Sequence, residues 1–157
     1  VCGFNKTRIG LNAKIRDHNE FTEHTPMIGD RVICLKNNKR SNVPLYNGAH
    51  GTIRHITKNP HLDYARSVIE MDGVNEDMFR GKMLYGAFAQ EKFNSYETGP
   101  GKEVFDYGYA ITAHKSQGSE FEKVMVIEEG KYVWRENWNK WLYTAVTRSS
   151  DELLIVG

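Results

Sequence analysis

The chain has 157 residues, 39% of them hydrophobic and 26% charged, which suits one ordinary core or a core carrying a small inserted module. Its net charge of +1 neither demands nor excludes nucleic acid. No run approaches the roughly 18 apolar residues of a membrane span and no basic-then-apolar leader is present, so a cytoplasmic protein without membrane contact is expected. Cys2 and Cys34 make neither a CxxC pair nor a disulfide framework and read as buried small hydrophobes.

In chain order, Val1 to Phe4 reads as a short buried strand, and Asn5 as the N-cap of a helix to about Asp17 with Ile9, Leu11 and Ile15 on its apolar side. Lys6, Arg8, Lys14 and Arg16 share that helix, and Lys36, Lys39 and Arg40 share a loop; each cluster reads as a solvated face. Asn19 to Met27, with Pro26, is an exit loop. Strands follow at Arg31 to Lys36, Gly51 to Ile56 and Arg66 to Met71, punctuated by Asn47-Gly48, Asn59-Pro60 and Asp72-Gly73, a pattern that predicts a small antiparallel barrel. Asn75 to Asn94 is compatible with a helix or with irregular structure.

Helix-strand alternation resumes after Pro100. Strands are predicted at Val104 to Ala113, Lys123 to Glu128 and Leu153 to Val156, with a helix at Asn137 to Thr147. Together with the first 17 residues these make a split α/β domain whose parallel sheet draws on both ends of the chain, with the β-rich module inserted. Strands at both ends read as a piece of a longer protein.

Thr112 to Glu120, TAHKSQGSE, sits at the carboxyl end of a predicted strand, where open α/β sheets place ligands. Thr112 and His114 alternate onto one face of an extended segment and suit a phosphodiester track, which Lys115 and Ser116 extend. Gly118 permits close backbone approach, and Glu120 suits ribose hydroxyls. A plain polar loop with a capping serine is the competing reading. Arg148 follows a helix whose Trp138, Trp141, Leu142 and Val146 are core; it suits either the helix dipole or a phosphate. Arg8 is open in the same way. Thr98 to Glu103 is no phosphate loop, since Tyr96 and Glu103 stand where GxxxxGK[ST] needs Gly and Ser or Thr. The histidines have no zinc-ligand spacing, so no metal site is expected.

At these residues the chain resembles a known family. FNKTRIGLN (4–12), YAITAHKSQGSEF (109–121) and LYTAVTRSSDELLIVG (142–157) are similar to motifs IV, V and VI of superfamily 1 DNA helicases, in the RecD-like and Dda-like branch. The resemblance implies a RecA-like, P-loop NTPase-type parallel-sheet domain at residues 1–26 and 104–157. It also implies an inserted SH3-like barrel with an elaboration at 27–103, carried by GDRVICLKNN, YNGAHGTI and VIEMDG.

Residue by residue, it makes Arg148 and Arg8 the arginines at the γ-phosphate and places Gln117, Gly118 and Glu120 at the nucleotide. Thr112, His114, Lys115 and Ser116 would lie on single-stranded DNA. ATP with Mg²⁺ would lie between this domain and an N-terminal RecA-like domain of the same polypeptide. The Walker A lysine and Walker B carboxylates are absent from these residues, so the isolated chain is expected to be inactive. The branch implies 5′ to 3′ movement and a role in DNA repair or recombination, with other subunits of a nuclease or replication complex as possible partners. Two alternatives stand beside this motor: a non-catalytic nucleic-acid or protein binding module, and the helicase subunit of an exodeoxyribonuclease V-like complex.

Overall fold

The computed structural model of the chain describes residues 1–73, 78–93, 98, 101–129 and 135–157. It divides into two compact units, one formed by Val1–Asn12 with Ala110–Gly157 and the other by Ala13–Tyr109. No helix among the described residues is long and apolar enough to cross a membrane.

The Ala13–Tyr109 unit is built on six strands: β1 (Arg31–Cys34), β2 (His50–Thr57), β3 (Tyr64–Met71), β4 (Met78–Leu84), β5 (Lys102–Glu103) and β6 (Phe105–Tyr107). They lie in the order β5-β4-β3-β2-β1-β6, and β1 to β4 form an antiparallel meander. One face of this sheet is apolar because every second residue is: Ala65, Ile69 and Met71 on β3 meet Phe79 and Met83 on β4, all buried. Gly81 lies between the last two, where the Phe79 ring would come within 2.5 Å of any added Cβ. A ring of ladders closing a barrel, as expected from the sequence, is not found among the described residues. Instead β5 pairs parallel with β4 and β6 pairs antiparallel with β1, so two strands separated only by Val104 take opposite edges of the sheet.

The stretch from Met78 to Leu84, left between helix and irregular structure by its sequence, is a strand. Its seven register pairs with β3 supply a partner that local composition does not reveal. Asn75 to Asp77 and Asn94, from the same stretch, and Gly99 and Pro100 of the rejected phosphate loop lie outside the described residues.

A buried polar hub holds the exit loop to this unit. Asp30, fully buried, accepts from Arg16 Nε (2.8 Å) and Nη2 (3.0 Å), from the Met27 amide (2.8 Å) and from the Tyr109 hydroxyl (2.9 Å). The Arg16 guanidinium lies 4.4 Å from the Tyr107 ring centre and also donates to the Thr25 carbonyl. Arg16 is thus a buried structural residue, not part of a solvated face. Burial pushes the Tyr109 hydroxyl up to about 12. An unfolded tyrosine ionises near pH ~10, so the unfolded chain releases this proton first. The stability linked to Tyr109 is whole below pH ~10 and falls as pH rises through about 12. Urea midpoints measured on either side of that window should drop with rising pH, and Tyr109→Phe should flatten the drop.

In the other unit, β7 (Phe121–Ile127) and β8 (Ser149–Val156) run parallel, joined through helix α2 (Trp138–Val146). The start of the chain lies beside β7: the Val1 ammonium donates to the Met125 carbonyl, and the Ile127 amide donates to Val1 O (2.9 Å). Cys2 then bridges Thr112 in parallel. A parallel α/β sheet drawn from both ends of the chain is therefore present. Its core packs Val124 and Val126 of β7 and Ala113 against Trp141 and Ala145 of α2.

Helix α1 (Asn5–His18) begins where expected, but its N-terminus is closed differently. Asn5 Oδ1 accepts from Arg8 Nε (3.2 Å), while the Glu129 carboxylate accepts from the amides of Gly3 (2.7 Å) and Phe4 (2.9 Å) and from the Thr7 hydroxyl (2.6 Å). Further along, the Asn12 amide group clasps Ala110 through both its oxygen (2.8 Å) and its nitrogen (3.0 Å). The single strand predicted from Val104 to Ala113 is divided. Its first part is paired in the other sheet as β6, the chain is irregular from Gly108 to Ile111, and only Thr112 bridges Cys2.

Candidate functional site

The carboxyl end of the Thr112 segment leads directly into the residues singled out in the sequence. Extended backbone ends at Thr112, and the chain then winds through a turn from Ala113 to Gly118. The amides of Lys115 (2.9 Å) and Ser116 (3.0 Å) both donate to Thr112 O, and the Ser119 amide donates to Ser116 O (3.0 Å). Thr112 and His114 accordingly do not alternate along a strand: Thr112 is 7% exposed, whereas His114 and Lys115 stand in solvent. Thr112 makes no side-chain hydrogen bond among the described residues. Ser116 is fully buried and its hydroxyl donates to Ala113 O (2.8 Å), so it holds the turn from within.

Gly118 takes φ +81°, a left-handed conformation that costs a side-chain-bearing residue roughly 1 kcal/mol or more. The kink exposes Gln117, Gly118 and Glu120, and it turns the Ser119 carbonyl toward Arg148. Arg148, half-buried just beyond α2, is fixed by three neutral oxygens: Nε donates to Thr144 O, Nη1 to Ser119 O and Nη2 to Thr147 Oγ1, each at 3.0 Å. Its backbone carbonyl accepts from the Phe121 amide at 2.8 Å. The turn and the arginine are thus one assembly. Among the described residues Arg148 has no ion pair.

Arg8 is buried at 7% exposure on α1, where its Nε donates to Asn5 Oδ1. An open cavity of about 460 Å³ lies between the turn and α2, lined by His114, Gln117, Lys140, Trp141 and Thr144 among others. Lys140 was missed in the sequence because nothing local ties a helix lysine to a turn more than 20 residues earlier. Glu129 was missed for the same reason, its partners lying more than 120 positions away.

A parallel α/β unit with this turn at the carboxyl end of its sheet and an arginine fixed against it has the fold of a helicase C-terminal RecA-like domain. Residues 107–156 match the family described as the UvrD-like helicase C-terminal domain. The whole chain superposes on Pif1 helicase from Bacteroides, in a crystal structure with ADP-AlF3 and single-stranded DNA, with a TM-score of 0.63 at 18% identity, and covers 39% of that chain. Against Pif1 helicase from Candida albicans, 91% of the chain superposes with a TM-score of 0.51 at 16% identity, covering 36% of that helicase. An uncharacterized protein of Methanocaldococcus jannaschii is 46% identical over 132 residues; this stretch is 82% of the present chain and 10% of the relative. The chain therefore resembles the C-terminal region of a superfamily 1 helicase and spans well under half the length of each of these proteins.

Proposed function

We propose that this chain is the C-terminal part of an ATP-dependent DNA helicase, supplying an arginine finger to ATP and part of the grip on single-stranded DNA. The observation that carries the reading is Arg148, a guanidinium held in place by carbonyl and hydroxyl oxygens with no carboxylate paired to it among the described residues. Such a group stabilises negative charge on a phosphate without having to reorganise. Arg8 serves as the second arginine, and Gln117, Gly118 and Glu120 face the nucleotide. The exposed amide, kinked backbone and carboxylate of that turn fit a ribose and phosphates. ATP with Mg²⁺, held largely by the N-terminal RecA-like domain of the intact protein, supplies the phosphoryl group whose charge these residues meet.

On the DNA side, Thr112 offers a hydroxyl, and His114 and Lys115 offer exposed donors to a phosphodiester backbone. Ser116 belongs to that set only as the residue that shapes the turn. Because turn and arginine share hydrogen bonds, closure of the nucleotide cleft would shift the DNA contacts at the same time, giving a translocation step. The RecD-like and Dda-like branch, and with it 5′ to 3′ movement, fits the motif sequences. An SH3-like barrel reading of the β1 to β6 sheet is supported by the continuity of the Lys102–Tyr107 segment, which supplies the strand at each edge of the sheet. In domain terms, residues 1–26 and 104–157 would form the motor domain, and 27–103 the insertion.

The test uses the intact protein. Its ATP hydrolysis should be stimulated by single-stranded DNA, and replacing His114 and Lys115 together with alanine should raise the DNA concentration for half-maximal stimulation by about tenfold, with little change at saturating DNA. Hydrolysis indifferent to DNA would overturn the reading. The isolated chain should turn over no ATP.

A further inference from the structure

The outer face of strands β2 to β4 carries a second array of cations that the motor residues do not use. In register across the sheet, Lys102 on β5 faces Lys82 on β4, and Lys82 faces Arg66 on β3; two residues along, Arg80 faces Val68, which faces His55. The two rows are about 7 Å apart. Between them lies an open cavity of about 380 Å³, walled by His55, Arg66, Arg80 and Lys82 and floored by the inward-facing pair Ser67 and Gly81.

Of the nearby carboxylates, Asp63 neutralises Lys102 at the edge of the array, while Glu70 is paired with Arg54 and Asp72 with Arg31. Among the described residues Arg66, Arg80 and Lys82 have no ion pair. Arg66 and Lys82 face each other as like charges, which opposes sheet formation, and an anion bound at this face would relieve that opposition. Two devices shape this face. The Tyr64 ring lies under the ammonium groups of Lys82 (4.9 Å) and Lys102 (5.5 Å). On β2 the register slips between Ile53 and His55, and this bulge turns His55 outward beside Val68 instead of inward after Ile53.

We infer that this face binds the phosphodiester backbone of a nucleic acid, as a contact separate from the Thr112 to Lys115 turn. An acidic protein is the weaker fit, because the apolar side chains of the face, Tyr64 and Val68, are half-buried and the Tyr64 ring is covered by Lys82 and Lys102. Repeated cations around a shallow cavity match repeated phosphates.

The test is fluorescence anisotropy of the 157-residue chain with a labelled single-stranded oligonucleotide and, separately, its duplex, across a salt series. The triple variant Arg66→Ala, Arg80→Ala, Lys82→Ala should bind at least about tenfold more weakly at low salt, and the slope of log affinity against log salt should become shallower by about two to three. Arg54→Ala, whose charge Glu70 already neutralises, should change neither quantity. Should circular dichroism show the triple variant unfolded, Arg80→Gln and Lys82→Gln singly should each reduce the slope by about one. A loss confined to the duplex assigns the face to double strands, and a loss confined to the single strand assigns it there; either supports the inference. Unchanged affinity and slope for both oligonucleotides, or no binding by the unmodified chain, overturns it.

Discussion

Replacing Arg148 with alanine should lower ATP turnover of the intact protein by about 10³-fold or more while leaving its affinity for single-stranded DNA nearly unchanged. The size follows from how the side chain is held. A guanidinium has five N–H donors, and three of them are spent on Thr144, Ser119 and Thr147, which leaves two without a partner among the described residues. Those two, with the positive charge, are what a phosphate would meet. Arg148→Lys separates charge from geometry: an ammonium keeps the charge, but its three donors radiate from one nitrogen and leave none over once the same three oxygens are met, so it should recover little of the lost rate. Steady-state turnover at saturating DNA, set beside equilibrium DNA binding, distinguishes the outcomes. A turnover within tenfold of the unmodified protein would mean that Arg148 serves only to tie α2 to the turn.

The second large effect concerns stability. Asp30→Ala should destabilise the Ala13–Tyr109 unit by about 3–5 kcal/mol, because it leaves the Arg16 guanidinium buried and unpaired and strips partners from Met27 and Tyr109. Both members of the pair are shielded, with side-chain exposures of 7% and 0%, so solvent screening does little to soften the loss. Urea unfolding followed by circular dichroism measures it as a fall in midpoint at constant slope. Replacing Arg16 and Asp30 together with apolar residues of similar volume should cost much less than Asp30→Ala alone, since it removes the stranded charge as well as its partner. A single-variant loss below about 1 kcal/mol would show that water reaches Arg16 when Asp30 is absent.

Elements with a strong period and clear punctuation were legible from sequence. Helix α1, strands β2, β3 and β7 and helix α2 lie where alternation or helical spacing put them, and Gly48 and Gly73 take the positive φ that their turns require. Strand β4 was not legible, because its order comes from β3 and its own seven residues mix apolar, cationic and glycine positions. The division of the Val104 to Ala113 stretch was hidden for a related reason. Its hydrophobic pattern continues without a break while its hydrogen-bonding partner changes from β1 to Cys2. The one local sign was Gly108, where an added Cβ would lie 2.9 Å from the backbone of Val32.

At the site, residue types and spacing pointed to the turn and to the arginine, but not to how they are joined. That Ser116 is a buried brace and that Ser119 presents its carbonyl to Arg148 depend on contacts across the fold, which no local pattern encodes. The Glu129 cap on α1 belongs to the same class.

The clasp between Asn12 and Ala110 has a consequence for how such a chain can change over time. Everything between these residues leaves the α/β unit and returns to it at one place, with the two ends already held together by two hydrogen bonds. To the α/β unit the intervening segment is a loop whose closure is set at its base. The entropy of that closure grows only with the logarithm of length, so doubling the segment would cost about 0.6 kcal/mol. Lineages could therefore lengthen, shorten or exchange this segment while the sheet that carries Arg148 barely registers the difference.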